Sequence, residues 1–137
     1  MKYLQLRLLC VKEFDNLSLV YFLRSAPFVE KLELHFCCID YVHLVQESKP
    51  MRKLPECLFN NMKSMHITGF KSYNDQVEFL LHMFENAPAL EVLSIDHLDK
   101  YPLESHEKDA KSVNFVRTTA RRYLEGKIPP KCTLLLL

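Results

Sequence analysis

The chain has 137 residues, of which 48% are hydrophobic and 26% charged, and its net charge is +1. This length is sufficient for one domain with a buried core, and the composition excludes wholesale disorder. The nearly balanced charge argues against a strongly electrostatic partner such as duplex DNA. The apolar runs are far shorter than the roughly 20 residues that a membrane span needs, so we expect no membrane segment.

The cysteines and the first residues indicate the compartment. The five cysteines, which form no CxxC pair, are Cys10, Cys37, Cys38, Cys57 and Cys132. We expect reduced thiols in a cytoplasmic or nuclear protein. We also expect no secretory leader, because Met1 and Lys2 run directly into an alternating segment that contains a charge.

The first part of the chain predicts a strand, a helix and a second strand. Tyr3 to Leu8 alternates apolar and polar residues, as a half-buried strand does. A helix capped by Asp15 or Asn16 follows and ends before Pro27. Its apolar face consists of Leu19, Val20 and Leu23. The second strand lies around Leu32.

The middle of the chain is less regular. We expect Cys37 to Asn61 to form a loop with a short helical piece at Glu56 to Asn61, because prolines interrupt this stretch. Alternation restarts at Met65 and Ile67, which predicts a third strand, and Gly69 permits a turn after it.

The clearest helix signature starts at Asp75. Asp75 and Glu78 form a variant of the capping box. The predicted apolar stripe comprises Val77, Leu80, Leu81 and Phe84, and the polar residues largely outside it are Glu78, His82 and Glu85. Asn86 and Pro88 end the helix, and Leu90 to Ile95 predicts a fourth strand.

The last part predicts a polar connection, a helix and a strand. The connection spans His97 to Glu107, and the helix spans Asp109 to Glu125 with Gly126 just past its end. A double proline then leads into a fifth strand, Cys132 to Leu136, and we expect the terminal Leu134 to Leu137 to form a buried strand.

The strand signatures recur along the chain. Residues 26–34 (APFVEKLEL) align with residues 87–95 (APALEVLSI) at an offset of 61 residues. The apolar strand residues Leu4, Leu32, Met65, Leu93 and Leu134 are separated by 28, 33, 28 and 41 residues. These spacings are close to those of leucine-rich repeats, with extra length in two connections. We therefore predict one α/β domain over residues 1–137, a leucine-rich-repeat-like solenoid with a parallel sheet and helices on its outer side. A doubly wound sheet is the rival, which is disfavoured because no Gly-rich phosphate loop follows a strand.

Strand alternation predicts where a partner binds. If the recurring apolar residues face the core, the open face of the sheet carries Gln5, Arg7, Glu33, His35, His66, Thr68, Ser94 and Asp96. Both signs of charge together with hydrogen-bonding groups suit a protein or peptide partner better than a phosphate backbone. The alternative is that this face is merely the solvated side of the sheet.

Other candidate sites are weaker. His97 and His106, with nearby acidic residues, lack a regular metal-ligand spacing. Adjacent Cys37 and Cys38 suggest redox chemistry only weakly, because neighbouring cysteines seldom pair with each other. The basic residues of the last helix are Lys111, Arg117, Arg121 and Arg122. Acidic residues flank them, so a solvated helix face is favoured, and nucleic-acid binding is kept as an alternative function. We expect no catalytic, cofactor or metal site, and hence no enzyme.

Several stretches resemble the C-terminal FBD region of plant F-box/leucine-rich-repeat proteins. They are Ser64 to Phe70 (SMHITGF), Gln76 to Leu81 (QVEFLL) and Glu85 to Glu91 (ENAPALE), with Ala120 to Leu124 (ARRYL) and Pro129 to Cys132 (PPKC) similar to the way those proteins close. The resemblance covers residues 63–137 best.

The resemblance implies a function in substrate recognition. In that family, the repeats recognise a target that the F-box, bound to Skp1, delivers to a ubiquitin ligase. Nothing before residue 63 resembles an F-box, so Skp1 binding is not expected of this chain. The predicted function is a protein-protein interaction scaffold with an unknown partner. The alternatives are a nucleic-acid-binding module and a non-functional truncated product.

Overall fold

The computed structural model describes residues 2–10, 16–38, 56–70, 74–96, 118 and 120–137. The strands are β1 (Tyr3–Cys10), β2 (Lys31–Cys38), β3 (Ser64–Thr68), β4 (Val92–Asp96) and β5 (Thr133–Leu136). The helices are α1 (Asn16–Arg24) and α2 (Asn74–Asn86), and residues 120–124 end a further helix that continues into a 3-10 turn, Glu125–Lys127. All five predicted strands are confirmed, with small shifts at their ends.

The five strands form a single sheet in the order β1-β2-β3-β4-β5. Each neighbouring pair is parallel. The prediction of parallel strands in chain order is therefore confirmed. A doubly wound sheet reverses its strand order at a switch point, so the rival architecture is wrong.

The strand register explains the recurring apolar residues. One row across the sheet consists of Leu4, Leu32, Met65, Leu93 and Leu134, and the next consists of Leu6, Leu34, Ile67, Ile95 and Leu136. These rows belong to one core cluster with the buried faces of the helices, including Leu23 of α1 and Leu80 of α2. Each strand contributes one residue to each of the two rows, and the helices cover the face of the sheet that carries them.

A turn of the same kind leads into successive strands. An amide three residues on donates to the carbonyl of Ala26, Phe59, Ala87 and Pro129 at 3.3, 3.4, 3.1 and 2.9 Å. The fourth residue of the first three turns, Val29, Met62 and Leu90, is buried in the core. The internal repeat found at an offset of 61 residues therefore contains an additional unit between its two copies, at Phe59 to Met62.

Residues 56–61 are not helical, so that prediction is wrong. Residues 56–59 have no regular structure and residues 60–61 form a turn. The amide of Phe59 donates to the carbonyl of Asn86 at 2.7 Å, at the end of α2. This amide therefore bonds to the neighbouring helix end and not within its own segment.

A larger part of helix α2 is buried than the predicted apolar stripe indicated. Its buried polar residues are Gln76, Glu78, His82 and Asn86, and only Glu85 of the predicted polar residues is exposed. The ring of Phe59 lies edge-on to His82, with centroids 6.4 Å apart. The predicted polar outer face is wrong for α2, because these polar residues are buried and Phe59 packs on the end of the helix.

Gly69 has φ of 72°, which confirms the predicted turn after β3.

Among the described residues, no helix combines the length and apolar character required to cross a membrane.

Candidate interaction surface

The eight residues predicted on the open face do come together. The register places Gln5, Glu33, His66 and Ser94 in one row across β1 to β4, and Arg7, His35, Thr68 and Asp96 in the adjacent row. We call this side of the sheet, opposite the core, the polar sheet face.

A buried histidine organises the polar sheet face. His35 is 0% exposed, and its Nδ1 lies 2.7 Å from Oγ1 of Thr68, which is itself buried. Its Nε2 lies 3.1 Å from a carboxylate oxygen of Glu33 and 3.0 Å from Nε2 of Gln5. The prediction that His35 and Thr68 are open to a partner is therefore wrong. They link β1, β2 and β3 beneath the residues that are accessible.

His35 has a partner for both ring nitrogens in each neutral tautomer. With the proton on Nε2, the ring donates to Glu33 and accepts from the hydroxyl of Thr68. With the proton on Nδ1, the ring donates to Thr68 and accepts from the amide of Gln5. Because each neutral tautomer finds hydrogen-bond partners, the imidazole can be fully buried in the middle of a sheet face.

The network continues toward β4. Nδ1 of His66 lies 2.9 Å from the hydroxyl oxygen of Ser94, which joins β3 to β4. The rings of His35 and His66 meet edge-to-face, with centroids 6.4 Å apart and planes at 74°. Contacts between side chains therefore connect four adjacent strands, so these groups are held in place before any partner arrives.

The two ends of the polar sheet face differ in chemistry. At the β1 and β2 end, the Lys31 ammonium lies 5.5 Å from the ring centroid of Tyr3, and Lys31 and Arg7 are both exposed. At the β5 end, Leu135 and Leu137 are 45% and 50% exposed. The prediction that the terminal leucines are all buried is wrong, because alternate residues of β5 face away from the core.

Sequence reasoning missed four members of this surface. They are Tyr3, Lys31, Leu135 and Leu137. Tyr3 and Lys31 share a row, and Leu135 aligns with Ser94. Their signal was present in the sequence, since each stands two residues from a predicted site residue or alternates with a core leucine.

A second buried polar cluster lies on α2. The side-chain amide of Asn86 donates to the carbonyl of His82 at 2.8 Å and lies 3.3 Å from its Nδ1. Nε2 of His82 is buried and has no hydrogen-bond partner among the described residues. Burial lowers the pKa of His82 below its ordinary value of 6.5, and the nearby charge of Glu85 opposes this only in part. This cluster holds residues 56–62 against α2 and lies away from the polar sheet face.

The weaker candidates receive little support. His97 and His106 lie outside the described residues, as do Lys111 and Arg117 of the basic helix. Arg121 and Arg122 are exposed, and the guanidinium of Arg122 lies 5.7 Å from the ring centroid of Tyr123. In the part of the chain that the structure describes, no group of three or more histidine, cysteine or acidic side chains could hold a metal ion.

Three cysteines, Cys37, Cys57 and Cys132, are free thiols. Cys37 is buried, and Cys57 and Cys132 are partly buried. Burial raises the pKa of the Cys132 thiol, and a backbone hydrogen bond from Leu93 offsets part of the effect. A raised pKa keeps this thiol protonated and unreactive near neutral pH.

The sheet, its repeated turns and the sequence comparison define the class of the protein, which is a leucine-rich-repeat (LRR) protein. The chain belongs to a plant family whose model is described as "At1g61320/AtMIF1, LRR domain" and matches residues 1–137. The comparison with curated proteins found no match, and neither did the comparison with solved structures.

Proposed function

We propose that the chain is a protein-interaction module that binds a partner protein through the polar sheet face. The observation that carries this proposal is the pair of hydrogen-bonded groups around His35 and His66, joined by the edge-to-face contact of the two rings, which fixes polar side chains across four strands. Preorganised groups lose little conformational entropy when a partner binds, so such a surface is suited to specific recognition. Repeat proteins in general use extended surfaces of this kind.

The charges of the polar sheet face favour a protein over a nucleic acid. Arg7 and Lys31 are exposed, and Glu33 and Asp96 are partly buried. Arg7, Glu33 and Asp96 lie in the two rows of the polar sheet face, and Lys31 lies beside them. A phosphate backbone needs neutralisation by several cations, which carboxylates between them would oppose. A protein surface can match both signs of charge.

We propose further that the bound partner is the target of a ubiquitin ligase and that the chain acts in substrate recognition. The support is the resemblance of residues 63–137 to the FBD region of F-box proteins. The 137-residue chain alone should not bind Skp1, because no segment of it resembles an F-box. Saturable binding of purified Skp1 in a calorimetric titration would contradict this part of the proposal.

Photo-cross-linking followed by affinity measurement tests the interaction proposal. A photoreactive amino acid at position 31 is expected to capture a partner from plant extract, and the captured protein is then expressed and purified. Its affinity for the wild-type chain is compared with that for the double variant Arg7→Glu/Lys31→Glu. The matched control is Arg121→Glu/Arg122→Glu, which reverses two exposed charges on the last helix.

The expected result is at least a tenfold loss of affinity in the sheet variant and an unchanged affinity in the helix variant. Both variants should unfold at the wild-type temperature, since exposed single charges contribute little to folding. The reverse result would move the binding surface to the last helix and contradict the proposal. Failure to capture any protein at position 31 would also count against the proposal.

Glu33 is unsuited to this test, although it belongs to the predicted site. Its carboxylate lies 3.1 Å from Nε2 of the buried ring of His35, so its removal disturbs the network as well as the surface charge. Charge reversal at Glu33 is therefore expected to lower the stability of the chain.

A further inference from the structure

The polar sheet face changes character from one edge of the sheet to the other. Its β1 and β2 edge carries the exposed cations Arg7 and Lys31, with Lys31 placed against the ring of Tyr3. Its β5 edge carries exposed Leu135 and Leu137, which alternate with the leucines of the core. One end of the surface presents two exposed cations beside the partly buried Glu33, and the other end is apolar.

The centre of the surface contributes order rather than attraction. His35 and Thr68 are buried and hydrogen-bonded to each other, and His66 and Ser94 form a second bonded pair. Groups that already satisfy one another gain little from a new hydrogen bond. The free energy that distinguishes one partner from another must therefore come mainly from the two ends.

We propose that the polar sheet face binds an extended segment of a partner protein in one direction, with acidic side chains over β1 and β2 and apolar side chains over β5. This inference rests on the proposed function and specifies the partner's chemistry. The acidic groups complement Arg7 and Lys31, and the apolar groups cover two leucines that water otherwise surrounds.

The carboxylate of Asp96 favours the same direction. Asp96 lies on β4, one strand away from the exposed leucines, and Ile95 beside it pairs with Leu136 of β5. An acidic segment placed over β4 and β5 would meet this like charge. The opposite orientation of the segment is therefore disfavoured at both ends.

The dimensions of the sheet set the spacing within the segment. Neighbouring strands lie about 4.8 Å apart, so the four steps from β1 to β5 span about 19 Å. An extended chain advances about 3.3 Å per residue. The acidic and apolar residues of the partner should thus be separated by about six positions.

A displayed library of random dodecapeptides tests the inference, with the 137-residue chain as the bait. We expect enriched peptides to combine aspartate or glutamate with leucine, isoleucine, valine, phenylalanine or methionine about six positions away. The affinity of a selected synthetic peptide is then measured by fluorescence anisotropy for Arg7→Glu/Lys31→Glu, for Leu135→Ser/Leu137→Ser and for the control Arg121→Glu/Arg122→Glu.

Each sheet variant should weaken binding at least tenfold, while the control binds as the wild type does. Replacing the peptide's acidic residues by serine should abolish the effect of Arg7→Glu/Lys31→Glu and preserve that of Leu135→Ser/Leu137→Ser. All variants should retain the wild-type circular dichroism spectrum, since the altered side chains are exposed.

The outcomes separate this inference from the proposed function. Peptides that require the sheet residues but lack the acidic-to-apolar order would overturn the directional inference and leave the interaction module intact. Peptides sensitive only to the Arg121/Arg122 variant would overturn both. An absence of enriched peptides would overturn the inference that the partner binds as an extended segment.

Discussion

The two buried histidines should respond in opposite ways to the same substitution. In the neutral ring of His82, Nδ1 faces the donating amide of Asn86, so the proton resides on Nε2, which is buried without an acceptor among the described residues. Such an unsatisfied group costs about 1–3 kcal/mol. His82→Leu removes this cost and the weak contact to Asn86, whose bond to the carbonyl of residue 82 remains possible. We expect the free energy of unfolding at pH 7.5 to rise by about 1 kcal/mol.

His35→Leu is the matched comparison. It removes the partner of the buried hydroxyl of Thr68 and a partner of the Glu33 carboxylate. Leaving buried polar groups with fewer partners should lower the free energy of unfolding by roughly 3 kcal/mol. Urea unfolding followed by circular dichroism measures both variants, provided that the slopes of the transitions agree with that of the wild type.

The pH dependence provides an independent measurement on His82. Because burial lowers the pKa of His82 in the folded chain, the unfolded chain binds more protons below pH 6.5. The contribution of this group to stability is complete above pH 6.5 and declines as the pH falls, by up to about 1.4 kcal/mol per pH unit. His82→Leu should flatten the stability profile between pH 7.5 and 5.5. Equal pH profiles for wild type and variant, or destabilisation at pH 7.5 as large as that of His35→Leu, would refute the reasoning.

Three further predictions concern the core, a turn and a thiol. Leu93→Ala should lower the free energy of unfolding in urea by about 2–5 kcal/mol because Leu93 is fully buried, whereas Leu135→Ala should cost well under half as much; equal costs would contradict the assignment of the two faces of the sheet. Gly69→Ala should cost about 1 kcal/mol in the same assay, since φ of 72° disfavours a side chain, and a stabilised variant would argue against the turn. Cys132 should react with iodoacetamide at pH 7.5 more slowly than free cysteine, as judged by mass spectrometry, because burial raises its pKa; faster reaction would contradict that environment.

The strands and their order could be predicted because the relevant signal is local and repeated. Leu4 and Leu32 occupy the same row of the sheet in consecutive repeats. In each strand, the alternation of apolar and polar residues indicates which side is buried. A repeat that cannot bury its apolar face alone must stack on its neighbour, which gives the chain-order sheet. The turn at Gly69 could be predicted for a similarly local reason.

The covered face of α2 could not be predicted, because the covering segment is distant in sequence. Phe59 meets the end of α2 through its ring against His82 and its amide on Asn86. The polar character of Glu78 and His82 predicted exposure, but both side chains are buried, and Phe59 packs against His82. The polarity of a side chain indicates its preference for solvent, but tertiary contacts can bury a polar side chain.

The candidate surface was predicted in position but incompletely in character. Alternation placed His35 and Thr68 on the correct side of the sheet, yet it carries no information about burial by neighbouring side chains. The same rule applied to β5 would have placed Leu135 on that side, but the continuous run of leucines suggested burial on both faces.

Methyl NMR of the chain with labelled leucines tests the central claim most directly, with the cross-linked partner added as an unlabelled protein. If the partner binds the polar sheet face, the methyl signals of exposed Leu135 and Leu137 should shift or broaden on addition, while those of buried Leu32 and Leu93 on the other face stay nearly unchanged. Unchanged signals of Leu135 and Leu137 together with a perturbed Leu58, which is exposed next to α2 and outside this face, would contradict the claim that the polar sheet face is the binding surface.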